Sequence, residues 1–114
     1  MPDLIIYKHI DGFDLNLHVF FPPDHDRSQR RSAIVFFFGG GWTGGAPKQF
    51  YPHCEYLAAR GMVAMSAEYR IQSVHGTTPF ESVADGKSAV RWIRQHAGEL
   101  GINSDCLAAG GGSA

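Results

Sequence analysis

The chain has 114 residues, 44% of them apolar, and ten Lys and Arg against eleven Asp and Glu give a net charge of −1. That bounds it to one domain with one modest core. Its only basic cluster, Arg27 with Arg30 and Arg31, stands beside Asp24 and Asp26, which excludes a nucleic-acid surface; apolar runs such as Ala33 to Phe38 fall far short of the ~20 residues that span a bilayer. Met1-Pro2-Asp3 lacks the basic and apolar regions of a signal peptide, so the cytoplasm is the default location. Cys54 and Cys106 are too few for a disulfide framework and lack zinc spacing, so the expectation is two free thiols and no metal.

Leu4 to Tyr7 and Leu15 to Phe21 are β-prone runs separated by Asp11-Gly12. In the second, Leu15, Leu17, Val19 and Phe21 alternate with Asp14, Asn16, His18 and Phe20, the pattern of a half-buried strand hairpinned to the first. Pro22 to Ser32 reads as a surface loop. "AIVFFF" (33–38) contains no polar residue, which fits a strand covered on both faces, as parallel strands are. After Pro47, Phe50, Cys54, Leu57 and Ala58 recur at helical spacing up to Arg60-Gly61, where glycine can cap the helix. "MVAMSAEY" is the next apolar strand. From Pro79, a second amphipathic helix places Phe80, Val83, Ala84, Val90, Ile93, Ala97 and Leu100 on one stripe, with Arg91, Arg94 and Gln95 outside it. "GINSD" connects to a short fifth strand, "CLAAG". Hairpin, strand, helix, strand, helix, strand predicts an α/β sheet whose later strands are parallel.

The sequence given closes on "GGGSA", which reads either as a flexible linker or as the front of a G-x-S-x-G turn that presents Ser113 as a nucleophile. Its placement favours the second, because it follows an apolar strand directly, where α/β sheets collect their ligands. The other glycine run, "FFFGGGWTGGAPK", also follows a strand. Gly39-x-Gly41-x-x-Gly44 matches a dinucleotide fingerprint, with Glu68 standing for the ribose-binding acid. Against that reading, Trp42, Gly45 and Pro47 postpone the helix whose start should face the pyrophosphate. Alternatively, glycines after a central strand let backbone N–H groups approach a ligand oxygen closely, as donors to the oxyanion of an acyl-transfer intermediate do.

"FFFGGGWTGG", "AEYR" and "DGKSAVRWIRQHAGELGINSDCLAAGGGSA" together resemble the amino-terminal portion of an α/β-hydrolase esterase or lipase, near the hormone-sensitive-lipase-like and carbohydrate-ester-hydrolase-like groups. The resemblance implies a partial α/β-hydrolase domain over 1–114 that stops inside the nucleophile elbow. It makes Ser113 the nucleophile, and it makes Gly40 and Gly41 with the N–H of Ala114 the oxyanion hole. Gly39 would shape the loop and Trp42 would line the acyl pocket. It further implies no cofactor, a small-molecule ester substrate (a short-chain or carbohydrate acetyl ester), and a sheet edge at Cys106 to Ala109 open to self-association.

Two departures qualify it. Phe38 stands where the family often has a histidine, and the family's order of Ser, then Asp or Glu, then His leaves the acid and base to residues after Ser113. Of the six histidines, His18 is expected to face outward, His25 to lie in a charged loop, and His53 and His96 to lie on helices. Only His75, in a flexible loop after the fourth strand, is on the same side as the glycines; Glu68 is expected to pair with Arg70. A non-catalytic hydrolase-like protein, a peptidase of the same fold and a dinucleotide-binding module are the alternatives.

Overall fold

The computed structural model describes residues 2–113. Strand β1 (Asp3–Ile10) turns through Asp11 and Gly12, at φ of +50° and +79°, into β2 (Phe13–Phe20). Two consecutive positive φ values give the turn the twist that suits an antiparallel pair. After a surface loop come β3 (Arg31–Phe37), a 3₁₀ turn (Pro47–Phe50), α1 (Tyr51–Ala58) and β4 (Val63–Ala67). The short α2 (Gln72–His75) precedes α3 (Pro79–Gln95), α4 (Ala97–Leu100) and β5 (Ile102–Gly111).

These strands form one sheet in the order β1-β2-β4-β3-β5. The β1–β2 and β2–β4 pairs are antiparallel, whereas β3 runs parallel to both β4 and β5. Helices cover the two faces. Ala33, Val35, Val63, Met65 and Ala67 turn to the side of α3 with Ala89 and Ile93, while Phe36 and Ala64 turn to the side of α1 with Cys54 and Ala58. This explains why "AIVFFF" has no polar residue: alternate side chains enter opposite cores. The mixed sheet with α helices on both sides is the predicted α/β architecture.

Helix α3 starts on a capping box, in which Thr78 and Glu81 bond each other's backbone N–H groups, with Pro79 in the first turn. The predicted stripe is correct for Ile93, Ala97 and Leu100 but is wrongly phased at its start. Phe80 and Val83 are exposed, and Ser82 and Asp85 are buried instead. The cause is an ion-pair network. Asp85 accepts hydrogen bonds from the Arg70 backbone N–H at 2.8 Å, from Arg70 Nε and Nη2 at 3.0 Å each, and from Lys8 Nζ at 2.8 Å. Satisfying one buried carboxylate four times turns that face inward at the expense of an apolar one. The stripe also breaks at His96, where α4 begins, and β5 starts at Ile102, four residues before the predicted strand.

Candidate active site

Because β3 and β5 are parallel neighbours with Phe37 opposite Gly111, the chain leaves both at the same end of the sheet. The glycine loop and Ser113, far apart in sequence, therefore emerge side by side. Their contact is close: a Cβ added to Gly39 would collide with the Gly112 carbonyl oxygen and the Ser113 backbone. The N–H groups of Gly40 and Gly41 both point to one oxygen, the Ser113 carbonyl, at 3.1 and 3.4 Å. Ser113 itself has φ of +58°. A left-handed conformation at a residue with a side chain costs about 1 kcal/mol or more, and it is the kind of local strain a sharp nucleophile turn carries.

The glycine loop is fastened from several directions. Gly40 has φ of +155°, and a Cβ there would collide with the Gly44 carbonyl, so the turn depends on glycine at this position. The Gly40 carbonyl accepts the N–H groups of Thr43 and Gly44 and the Thr43 hydroxyl. Two N–H groups at the start of α2, Gln72 and Ser73, donate to the carbonyls of Trp42 and Thr43 at 3.2 and 2.9 Å. Phe38 is 2% exposed and stacks on Tyr69, with ring centroids 4.3 Å apart. A cleft of about 220 Å³ opens beside the loop, lined by Phe37, Trp42, Tyr69, Ser82, Val83 and Gly86. A larger shallow groove of about 700 Å³ runs along the outer face of α3 and includes neither the glycines nor Ser113.

The structure thus brings Gly39, Gly40, Gly41 and Ser113 together and puts Trp42 on the wall of the adjacent cleft, while Ala114 lies outside the described residues. The dinucleotide geometry does not form. No helix starts within the glycine run, the 3₁₀ turn beginning only at Pro47, and the Gly40 and Gly41 N–H groups face the Ser113 turn.

The histidines are engaged elsewhere. His75 belongs to α2 rather than to a flexible loop, and its Nδ1 accepts the Ile71 N–H at 3.0 Å. His25 Nε2 donates to the Leu100 carbonyl, and His96 stacks on Trp92. His18 does not face outward: its ring bridges the Tyr51 hydroxyl at 2.5 Å and Glu68 Oε2 at 2.7 Å. Glu68 consequently pairs with His18 and Asn16, and Arg70 with Asp85 and Asp11 in place of Glu68. Burial pushes the Glu68 carboxyl up, but the His18 and Asn16 hydrogen bonds outweigh it and hold the group below its ordinary value. Cys54 is no rival nucleophile, because burial, with Glu55 nearby, pushes its thiol up to about 12. Sequence reasoning missed the His18–Tyr51–Glu68 link and two side chains that hold the start of the glycine loop, Gln49, which accepts the Gly39 N–H, and Tyr69, whose hydroxyl donates to the Phe38 carbonyl. Strand alternation alone assigns His18 to a face, and a Tyr in "AEYR" carries no sign of its partner.

The BD-FAE family model matches residues 17–114. By sequence the chain is 28% identical to carboxylesterase NlhH of Mycobacterium tuberculosis over 120 residues, covering 100% of this chain and 36% of NlhH. By structure it is similar to an esterase of Thermogutta terrifontis, Est2, with butyrate bound: the TM-score is 0.96 at 54% identity, over 98% of this chain and 40% of that one. The same esterase phosphorylated by paraoxon gives 0.94 at 53% identity, over 96% of this chain and 42% of that one. The chain therefore spans less than half the length of each of these relatives. It belongs to the BD-FAE family and has the architecture of the amino-terminal portion of an α/β-hydrolase esterase.

Proposed function

We propose that the chain carries the nucleophile and the oxyanion donors of a serine carboxylic-ester hydrolase. The observation that carries this reading is the convergence of two backbone N–H groups, those of Gly40 and Gly41, on the carbonyl oxygen of the left-handed Ser113. In catalysis the Ser113 hydroxyl oxygen attacks the acyl carbon of the ester while its proton passes to an imidazole. The carbonyl oxygen becomes an oxyanion held by the N–H groups of Gly40, Gly41 and Ala114. Collapse expels the alcohol, which takes the proton back, and water then releases the acid from the acyl-enzyme by the same two steps. The acid and the base come from residues after Ser113, in the order usual for this fold. A helix starting at the elbow draws the Ser113 carbonyl into its own hydrogen bonds, which frees the two donors for the substrate.

Substrate size follows from the cleft beside Trp42, whose volume of about 220 Å³ is below that of sites for drug-sized ligands and suits a short acyl group. Butyrate bound to the Thermogutta esterase and its phosphorylation by paraoxon support both the short acyl group and the covalent step. In the natural full-length chain, a fluorophosphonate is expected to label the peptide containing Ser113 with one adduct per chain, located by mass spectrometry. Absence of that adduct would refute the proposal. Replacing Gly40 with valine should lower turnover per labelled site by roughly 10²-fold, since the loop must shift to admit the Cβ and the donors are misaimed; the same strain should lower the melting temperature, while the core, which does not include this loop, stays folded.

The 114-residue chain produced alone is expected to behave differently. Ser113 then has no base and should take up no fluorophosphonate. Among the described residues strand β5 is the last of the sheet and pairs with β3 alone, and Cys106, Ala108 and Ala109 on it are exposed. Such an edge recruits another strand, so self-association is expected in analytical sedimentation. A monomer that is labelled stoichiometrically would show that a base already lies within these residues.

A further inference from the structure

The peptide that joins Phe38 to Gly39 is gripped on both of its polar edges. Its carbonyl oxygen accepts the Tyr69 hydroxyl proton, and its N–H donates to Gln49 Oε1 at 2.6 Å. The two fasteners come from separate elements, Tyr69 just after β4 and Gln49 from the 3₁₀ turn before α1. Tyr69 is 4% exposed under the stacked Phe38 ring, so water cannot replace its bond once it is lost.

A peptide unit is planar, and bonds on its two opposite edges fix its rotation about the axis between its Cα atoms. Gly39 cannot supply that order, since without a Cβ its own torsions are the least restricted of any residue. The next N–H along the chain belongs to Gly40, one of the two donors aimed at the Ser113 carbonyl. Resting on the reading of Gly40 and Gly41 as oxyanion donors, we propose that Tyr69 and Gln49 are positioning residues that clamp the Phe38–Gly39 peptide and so aim the Gly40 N–H. The clamp also accounts for the tolerance of phenylalanine at position 38. Tyr69 binds the main-chain oxygen, which every residue carries, and the ring at 38 only has to stack.

The test uses the natural full-length chain with turnover normalised to fluorophosphonate-titrated sites. Tyr69→Phe keeps the stacked ring and removes the hydroxyl, and Gln49→Leu keeps the bulk and removes the acceptor. Each is expected to lower kcat by about 10-fold, part of the 10²–10³ that loss of a whole donor costs, with KM within about threefold. Affinity for a trifluoromethyl ketone should fall in parallel with kcat/KM. A purely structural role would lower the titrated fraction or the melting temperature and leave kcat per site unchanged, and that result would overturn the clamp. A second readout needs no activity: amide exchange at Gly39 and Gly40 should be at least 10-fold faster in Gln49→Leu and Tyr69→Phe than in the unaltered chain. If the unaltered chain takes up no fluorophosphonate, the ester-hydrolase reading fails and exchange alone decides the clamp. Faster exchange in the variants supports it, and unchanged exchange in both overturns it.

Discussion

Replacing Ser113 with alanine in the natural full-length chain is expected to lower kcat for a short-chain activated ester by on the order of 10⁴-fold or more, because nucleophile and base act as a unit. The residual rate should reflect the glycine donors and substrate binding alone. The left-handed backbone at this position allows a sharper version of the experiment. Serine and alanine carry the same strain at φ of +58°, whereas glycine carries almost none. Ser113→Gly should therefore be as inactive as Ser113→Ala while melting no lower than the unaltered protein. Activity within tenfold of normal in either variant would remove Ser113 from the chemistry. Inactivity accompanied by a collapse in stability would point to a structural serine.

The largest effect on stability is expected at Asp85. It is fully buried, and its four hydrogen bonds hold Arg70, which is 4% exposed, and Lys8. Asp85→Ala leaves the guanidinium buried with Asp11 as its one remaining side-chain partner among the described residues, and the Asp11 side chain is 74% exposed. Stranding a buried charge costs about 3–5 kcal/mol, measurable as a lower midpoint in guanidinium unfolding. Removing the charge at both ends, as in Asp85→Ala with Arg70→Leu, should recover much of that loss. If the double variant is as unstable as the single one, the ion pair is not the cause.

The same carboxylate gives a pH signature. Burial would push the Asp85 carboxyl up, but hydrogen bonds from Arg70 and Lys8 outweigh it and hold the group below its ordinary value. A depressed folded-state value means the stabilisation is complete above the unfolded value near ~4 and is lost as pH falls through the folded one. Unfolding free energy should thus drop on acidification below about pH 4, and the slope there should be shallower in Asp85→Ala.

The sequence carried the fold where the signal was local. A run of six apolar residues, two helical periodicities and glycines at the ends of two strands were enough to order the elements and to place the loop beside Ser113. Failures occurred where a distant partner overrode the local pattern. Hydrophobic periodicity put Phe80 and Val83 inside α3, but Arg70 arrives from the β4 side and makes Asp85 the buried position. Glu68 sits two residues from Arg70, which suggested a pair; their side chains instead turn to His18 on one face and Asp85 on the other. Tyr69 and Gln49 carried no pattern at all, since each is recognisable only by the main-chain atom it bonds. For the site, residue types at strand ends were legible, and the bonds that hold them were not.

The absence of a side chain at Gly39 also constrains how such proteins can be reassembled from pieces of one another. Because the Ser113 turn occupies the space where a Cβ at position 39 would project, the two positions form one compatibility unit although most of the chain separates them. A crossover between related genes at any point after the glycine loop and before Gly112 joins a loop from one parent to an elbow from the other. Offspring would survive only where the incoming loop again leaves that space empty. Chimaeric libraries cut between Gly45 and Gly112 should accordingly divide into functional and dead classes by the residue at position 39, whatever the similarity of the parents elsewhere.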